Sequence, residues 1–264
     1  MQVACPQNKL RQGPLVNKNS KSSQKGLRDH LPLAPRREEH FRWRGTEVSR
    51  VEGFTDAVFA FAVTLLVVAL EVPHTFKGLM DVVRGFPAFV VCFVLLMAFW
   101  NAHYRYHRRY GLEGTFTRVM TMAILVLVLF SVYPLKFLFT LLTVQIFGLD
   151  LRDAPHLDGR DQVTTLYLIY GLGLAGVYGL YAVLYGYALA KREQLGLDAA
   201  ETILTRSSLA AYLIYVGVCL LSITLALLTT SNWIPGVIYC VLGPLQAFNG
   251  WWFGKQLSAT PRPA

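Results

Sequence analysis

The chain has 264 residues, 54% of them hydrophobic and only 16% charged, with a mean hydropathy of +0.40. Soluble domains carry about 25% charged residues. The deficit here lies in long apolar runs without polar stripes, which excludes a soluble helical bundle. The formal net charge of +9 bears on orientation, because the basic residues cluster in alternate loops, and it implies no nucleic-acid partner.

Residues 1–45 read as a basic, disordered cytoplasmic tail rich in Lys, Arg, Ser, Asn and Pro, a composition that cannot bury a core. Such a tail either stays solvated or touches anionic membrane lipid. No continuous apolar h-region is present, so no signal peptide is expected. His40-Phe-Arg-Trp-Arg44 suits the headgroup level, where Trp and Arg anchor membrane proteins.

The first apolar segment, Phe54–Val72, has 19 residues, or about 28 Å of helix, close to a bilayer core. Asp56 stands at its head, where a carboxylate costs roughly 2.5–3.5 kcal/mol on insertion scales. Three roles fit Asp56: a cap on the first helical turn, a polar brace, or a protonatable switch. Further along, Phe61, Thr64, Leu65 and Val68 fall on one helical stripe. That stripe is apolar with one hydroxyl, so it either packs within the subunit or lines a narrow pore.

A short connection, Pro73 to Gly85, leads to a second span at Phe86–Ala102. His103 and His107 follow, four residues apart and able to share a helix face. Two histidines without a third ligand make a weak metal signal; His103 is the better partner for the first helix. The third span runs from Val119 to about Thr140 and contains Pro134 and Lys136. Lys136 lies near the outer headgroups, where snorkelling or a vestibule charge accounts for it. The fourth span, Thr165–Ala190, spaces Gly171, Ala175 and Gly179 by four. Such small residues permit close helix approach within a subunit or between subunits. Ser208–Thr229 and Trp233–Phe253 complete six spans, the last expected to kink at Gly243-Pro244.

The reading is therefore an all-α polytopic membrane protein, with a transmembrane domain over 46–253 and a short cytoplasmic tail over 254–264. Eleven Lys/Arg in residues 1–50, with Arg105, Arg108, Arg109 and Arg118 in the second-to-third loop, place both termini in the cytoplasm. The four cysteines show no CxxC spacing and read as packing residues. Neither a cofactor nor a metal site is expected. No HExxH, GxSxG or P-loop pattern occurs, so an enzyme is not expected.

The run Arg50-x3-Phe54-Thr55-Asp56, continuing into Ala-Val-Phe-Ala-Phe-Ala-Val-Thr-Leu-Leu-Val, resembles the opening of the first transmembrane helix in the transmembrane protein 175 family of potassium channels. Thr55 stands where that family usually has Ser. Trp100-Asn101-x-His103 is also similar to the family, and the likeness covers about residues 47–253. It implies a homotetramer with first helices around a central axis, conducting potassium through rings of apolar side chains plus a threonine ring. Carried over, those rings are Phe61, Thr64, Leu65 and Val68. Arg50, Phe54, Thr55 and Asp56 join Trp100, Asn101 and His103 in a network bracing the first helix. Phe61 departs from the usual Ile or Leu. A bacterial inner-membrane location is implied as well. Two other functions compete: a proton-coupled transporter using Asp56 and His103, and a non-conducting membrane scaffold.

Overall fold

The computed structural model describes residues 41–45, 48–69, 72–147, 157, 159–231 and 233–260. Every regular element among them is helical: α1 (Arg50–Val68), α2 (Phe76–Tyr110), α3 (Thr115–Phe147), α4 (Arg160–Ala190), α5 (Ala199–Leu228), α6 (Ile234–Val237), a 3₁₀ turn (Ile238–Val241) and α7 (Leu242–Ser258). Residues 1–40 of the expected tail lie outside the described residues. Its last part does not: Phe41 is buried against Tyr110, with the rings edge-to-face at 5.5 Å. The packed unit therefore reaches at least to Phe41.

Five helices, α1 to α5, are long and apolar enough to cross a membrane. The sixth expected span, Trp233–Phe253, is a broken helix running over 234–258. Its break has a local cause. Pro244 lacks an N–H and its ring crowds the carbonyl four residues back, and the 3₁₀ turn at Ile238–Val241 spans that position. The expected kink thus falls one turn before Gly243-Pro244.

Several helices outrun their expected spans. α2 begins at Phe76, with the Thr75 hydroxyl accepting from Gly78 N, so most of the expected 73–85 connection is helical. Lys77, Asp81 and Arg84 lie in this extension, where a helix leaving the hydrocarbon meets headgroups and water. α5 begins at Ala199 instead of Ser208, because Asp198 and Glu201 form a capping box. Pro134 lies inside α3 without ending it.

The core lies among α1, α2, α3 and α4, with Phe59, Leu66, Leu96, Ile124, Val128, Tyr181 and Leu184 at its centre. α4 and α5 form the most extensive helix pair. A Cβ on Gly171 would lie 2.6 Å from Ile223 Cγ1, so this glycine lets the two backbones close within one subunit. α7 packs on α5, where Asn249 Nδ2 donates to Ser207 O at 3.1 Å and Gln246 Nε2 to Ala211 O at 2.9 Å.

Candidate functional site: the first helix and its braces

Sequence chemistry at α1 sets its start. Ser49 Oγ accepts from Glu52 N at 3.1 Å, while Glu52 Oε2 accepts from Ser49 N at 2.9 Å. This reciprocal cap satisfies two helix-terminal donors. The Glu52 carboxylate also faces Arg108 Nε of α2 at 3.8 Å, and Arg108 Nη1 donates to Gly45 O at 3.0 Å. At the far end Lys136 Nζ donates to Ala69 O, placing a cation at the negative pole of the helix. α1 is thereby held at both ends by polar contacts to α2 and α3. Lys136 is a helix cap here, a role distinct from the snorkelling and vestibule readings.

The two faces of α1 differ sharply. Glu52, Thr55, Phe59, Ala62 and Leu66 are buried, and at ~100° per residue they share one face. Ala57, Ala60, Phe61, Thr64, Val67 and Val68 are exposed on the other. Phe61 is 56% exposed and Val68 69%. Leu65, grouped with this stripe from sequence, sits between the faces and packs partly against the core. Ala57 and Ala60, which the sequence reading passed over, complete the exposed stripe; a spacing of i, i+3/i+4 and i+7 from Ala57 would have found them. Thr64 Oγ1 donates to Ala60 O at 3.0 Å, so its proton is committed to the helix and its lone pairs point outward.

Of the expected network, the structure joins one pair. Trp100 Nε1 donates to Asp56 Oδ1 at 2.7 Å, and the indole stacks on Tyr104 with centroids 5.6 Å apart. Asp56 is thus a side-chain acceptor from α2. Thr55 is fully buried and turned back on its own helix, donating to Val51 O at 2.8 Å. Arg50, Phe54 and Asn101 are exposed. The side chains of Arg50 and Asn101 make no hydrogen bond or ion pair among the described residues.

His103 is buried, and neither ring nitrogen has a hydrogen-bond partner among the described residues. Its ring lies 4.4 Å from that of His107. Asp56 and His103 are therefore not linked into a relay within the subunit. No group of three His, Cys, Asp or Glu side chains able to hold a metal occurs among the described residues.

Sequence reasoning missed the clasp at Glu201. Its carboxylate accepts from Arg44 Nη2 at 2.7 Å, Arg44 Nη1 at 3.1 Å and Arg42 N at 2.7 Å. Arg44 Nε also donates to Leu195 O at 2.8 Å. Arg44 N and Gly45 N donate in turn to Arg108 O at 3.1 and 3.2 Å. The segment entering α1 is thereby fixed to the ends of α2 and α5. Asp198-x-x-Glu201 was legible as a capping box; its cross-chain arginine was not.

Fold and site together define a multi-pass helical membrane protein whose first helix is pinned at both ends and presents a mostly apolar face that is exposed among the described residues. A family model described as endosomal/lysosomal potassium channel TMEM175 matches residues 50–134, from the start of α1 into α3. A potassium channel of Marivirga tractuosa is 34% identical over 221 residues, 80% of this chain and 90% of its own. The crystal structure of a threonine-to-alanine variant of the potassium channel MtTMEM175, in complex with a nanobody–MBP fusion, is 31% identical. It superposes with a TM-score of 0.73, covering 84% of this chain and 99% of the other. A lysosomal potassium-selective channel TMEM175 homologue from Chamaesiphon minutus, 20% identical, has a TM-score of 0.50 over 76% of this chain and 96% of its own; that likeness is one of fold alone. The chain belongs to the TMEM175 potassium-channel family.

Proposed function

We propose that this protein is a potassium-permeable channel, in which ions pass down their gradient through a pore lined by the exposed stripe of α1. The observation that carries this reading is the split of α1. One face is buried against α2 and α3, and the opposite face, Ala57, Phe61, Thr64 and Val68, is exposed among the described residues. Repeated around a fourfold axis, that stripe gives successive apolar rings and one ring of hydroxyl oxygens. Hydrophobic constrictions gate by dewetting. Phe61 supplies the bulkiest such ring. The Thr64 oxygens, with their protons donated to the helix, offer lone pairs to a partly dehydrated cation.

The homotetramer, the filter assignment and the bracing role of Trp100 and Asp56 belong to this proposal. So do a cell-membrane location and a cytoplasmic position for both termini, supported by Arg105, Arg108, Arg109, Arg118, Lys191, Arg192, Arg206 and Lys255 gathering at one end of the alternating helices. The test is potassium flux from liposomes holding the purified protein, with sodium and proton gradients as controls. The reading expects flux driven by potassium alone. Flux that requires proton exchange would sink it in favour of transport, and a folded, silent oligomer in favour of a scaffold.

A further inference from the structure

Among α2, α4, α5 and α7, at the end of the bundle that carries the loop arginines, lies a cavity of about 540 Å³. That volume falls in the ~300–1,000 Å³ range of small-ligand sites. Arg105 and Arg109, one turn apart on α2, both line it. Arg109 is only 8% exposed. Among the described residues no carboxylate lies within 4.0 Å of either guanidinium; the ion pairs use Arg44, Arg84, Arg108 and Arg192. Among the described residues Arg109 meets the Phe41 ring at 5.1 Å and makes a long 3.5 Å contact from Nη1 to Ser208 Oγ. A guanidinium this buried is unfavourable without a counter-charge. The lining also carries aromatic side chains, with Tyr178 stacked on Tyr215 at 4.3 Å. The lining thus offers both guanidinium groups and aromatic surface.

We propose that this cavity binds a phosphate-bearing anion, its oxygens held between the guanidinium groups of Arg105 and Arg109. The planar guanidinium fork matches phosphate geometry, and such bonds are charge-assisted. Two sources share this chemistry: the phosphodiester of an anionic lipid headgroup and free phosphate. The aromatic part of the lining favours the lipid, because it offers apolar surface to the glycerol and first acyl carbons. This inference does not depend on which residues line the pore.

The test is native mass spectrometry of the full-length protein in neutral detergent, titrated with dihexanoyl phosphatidylglycerol. Dihexanoylglycerol, which lacks the phosphate, is the control. The phosphatidylglycerol is expected to saturate at one molecule per subunit, and dihexanoylglycerol to leave the site empty. Arg105→Gln or Arg109→Gln is expected to weaken binding roughly tenfold, as for the loss of one charge-assisted hydrogen bond. Inorganic phosphate that displaces the lipid at similar concentration supports free phosphate as an equal ligand; failure to displace it supports the lipid headgroup. Arg105 is exposed, so Arg105→Gln carries the test even where Arg109→Gln impairs folding. Unchanged binding in Arg105→Gln would overturn the proposal. A variant that loses oligomer mass while keeping its lipid would do the same, because the arginine would then serve a subunit contact and not the lipid.

Discussion

Glu201→Gln isolates the clasp that seats the entry to α1. The Glu201 side chain is 1% exposed and Arg44 20%. Gln keeps the volume but removes the charge. Whichever way the amide turns, its NH₂ faces donors, since Oε2 accepts from Arg44 Nη2 and Asp198 N at 3.2 Å while Oε1 accepts from Arg42 N and Arg44 Nη1. A hydrogen bond to a charged group contributes about 1.5–3 kcal/mol, and breaking one member of a buried pair costs about 3–5 kcal/mol. Arg44 keeps access to water, which recovers part of that loss, so a destabilisation of about 2–3 kcal/mol is expected. Arg44→Gln should cost a similar amount, and the double variant little more than either. The assay is SDS-induced unfolding in mixed micelles, followed by circular dichroism, as a double-mutant cycle. A coupling near 2 kcal/mol fits the clasp; additive losses, within about 0.5 kcal/mol, would refute it.

Two further outcomes bear on α1 itself. Thr64→Val keeps the shape of the exposed stripe and deletes its one hydroxyl. At about 1 kcal/mol for the lost coordination, the preference for potassium over sodium should fall roughly five- to tenfold, read as a shift in reversal potential under bi-ionic conditions; an unmoved reversal potential counts against Thr64. Trp100→Phe keeps an aromatic ring against Tyr104 but removes the donor to Asp56. A loss of about 1–2 kcal/mol in SDS unfolding is expected, and a change below measurement error would mean the bond adds no stability.

The fold was largely legible because membrane insertion writes itself as long apolar runs. Those runs mark hydrocarbon, though, and helices continue past it: α2 gains a helical extension through Lys77 and Arg84, and α5 starts nine residues before Ser208. Charges that end a hydropathy window do not end a helix, whereas caps do, and Thr75, Asp198 and Gly111 were the better markers. Gly111 takes φ 58° at the C-cap of α2, a conformation that favours glycine. On α1, periodicity grouped Phe61, Thr64, Leu65 and Val68; the first, second and fourth are exposed and Leu65 lies partly against the core, because a stripe drawn from four residues does not say where the buried face is centred. The long-range contacts were the hardest to read. Glu201 with Arg44 and Lys136 with Ala69 O join residues far apart in the chain, and single-sequence spacing holds no trace of them. Asp56 and His103, adjacent in motif logic, are not bonded; the Asp56 carboxylate accepts from Trp100.

The measurement that bears most directly on the pore is the potassium conductance of Phe61→Ala beside the unaltered protein, both reconstituted in planar bilayers. Phe61 is exposed and supports no core packing, so the variant should fold normally. If the stripe of α1 is the conduction path in the proposed tetramer, removing its phenyl groups widens the bulkiest constriction, and unitary conductance rises several-fold. Equal conductance in a protein shown to conduct would place the constriction elsewhere and contradict the account.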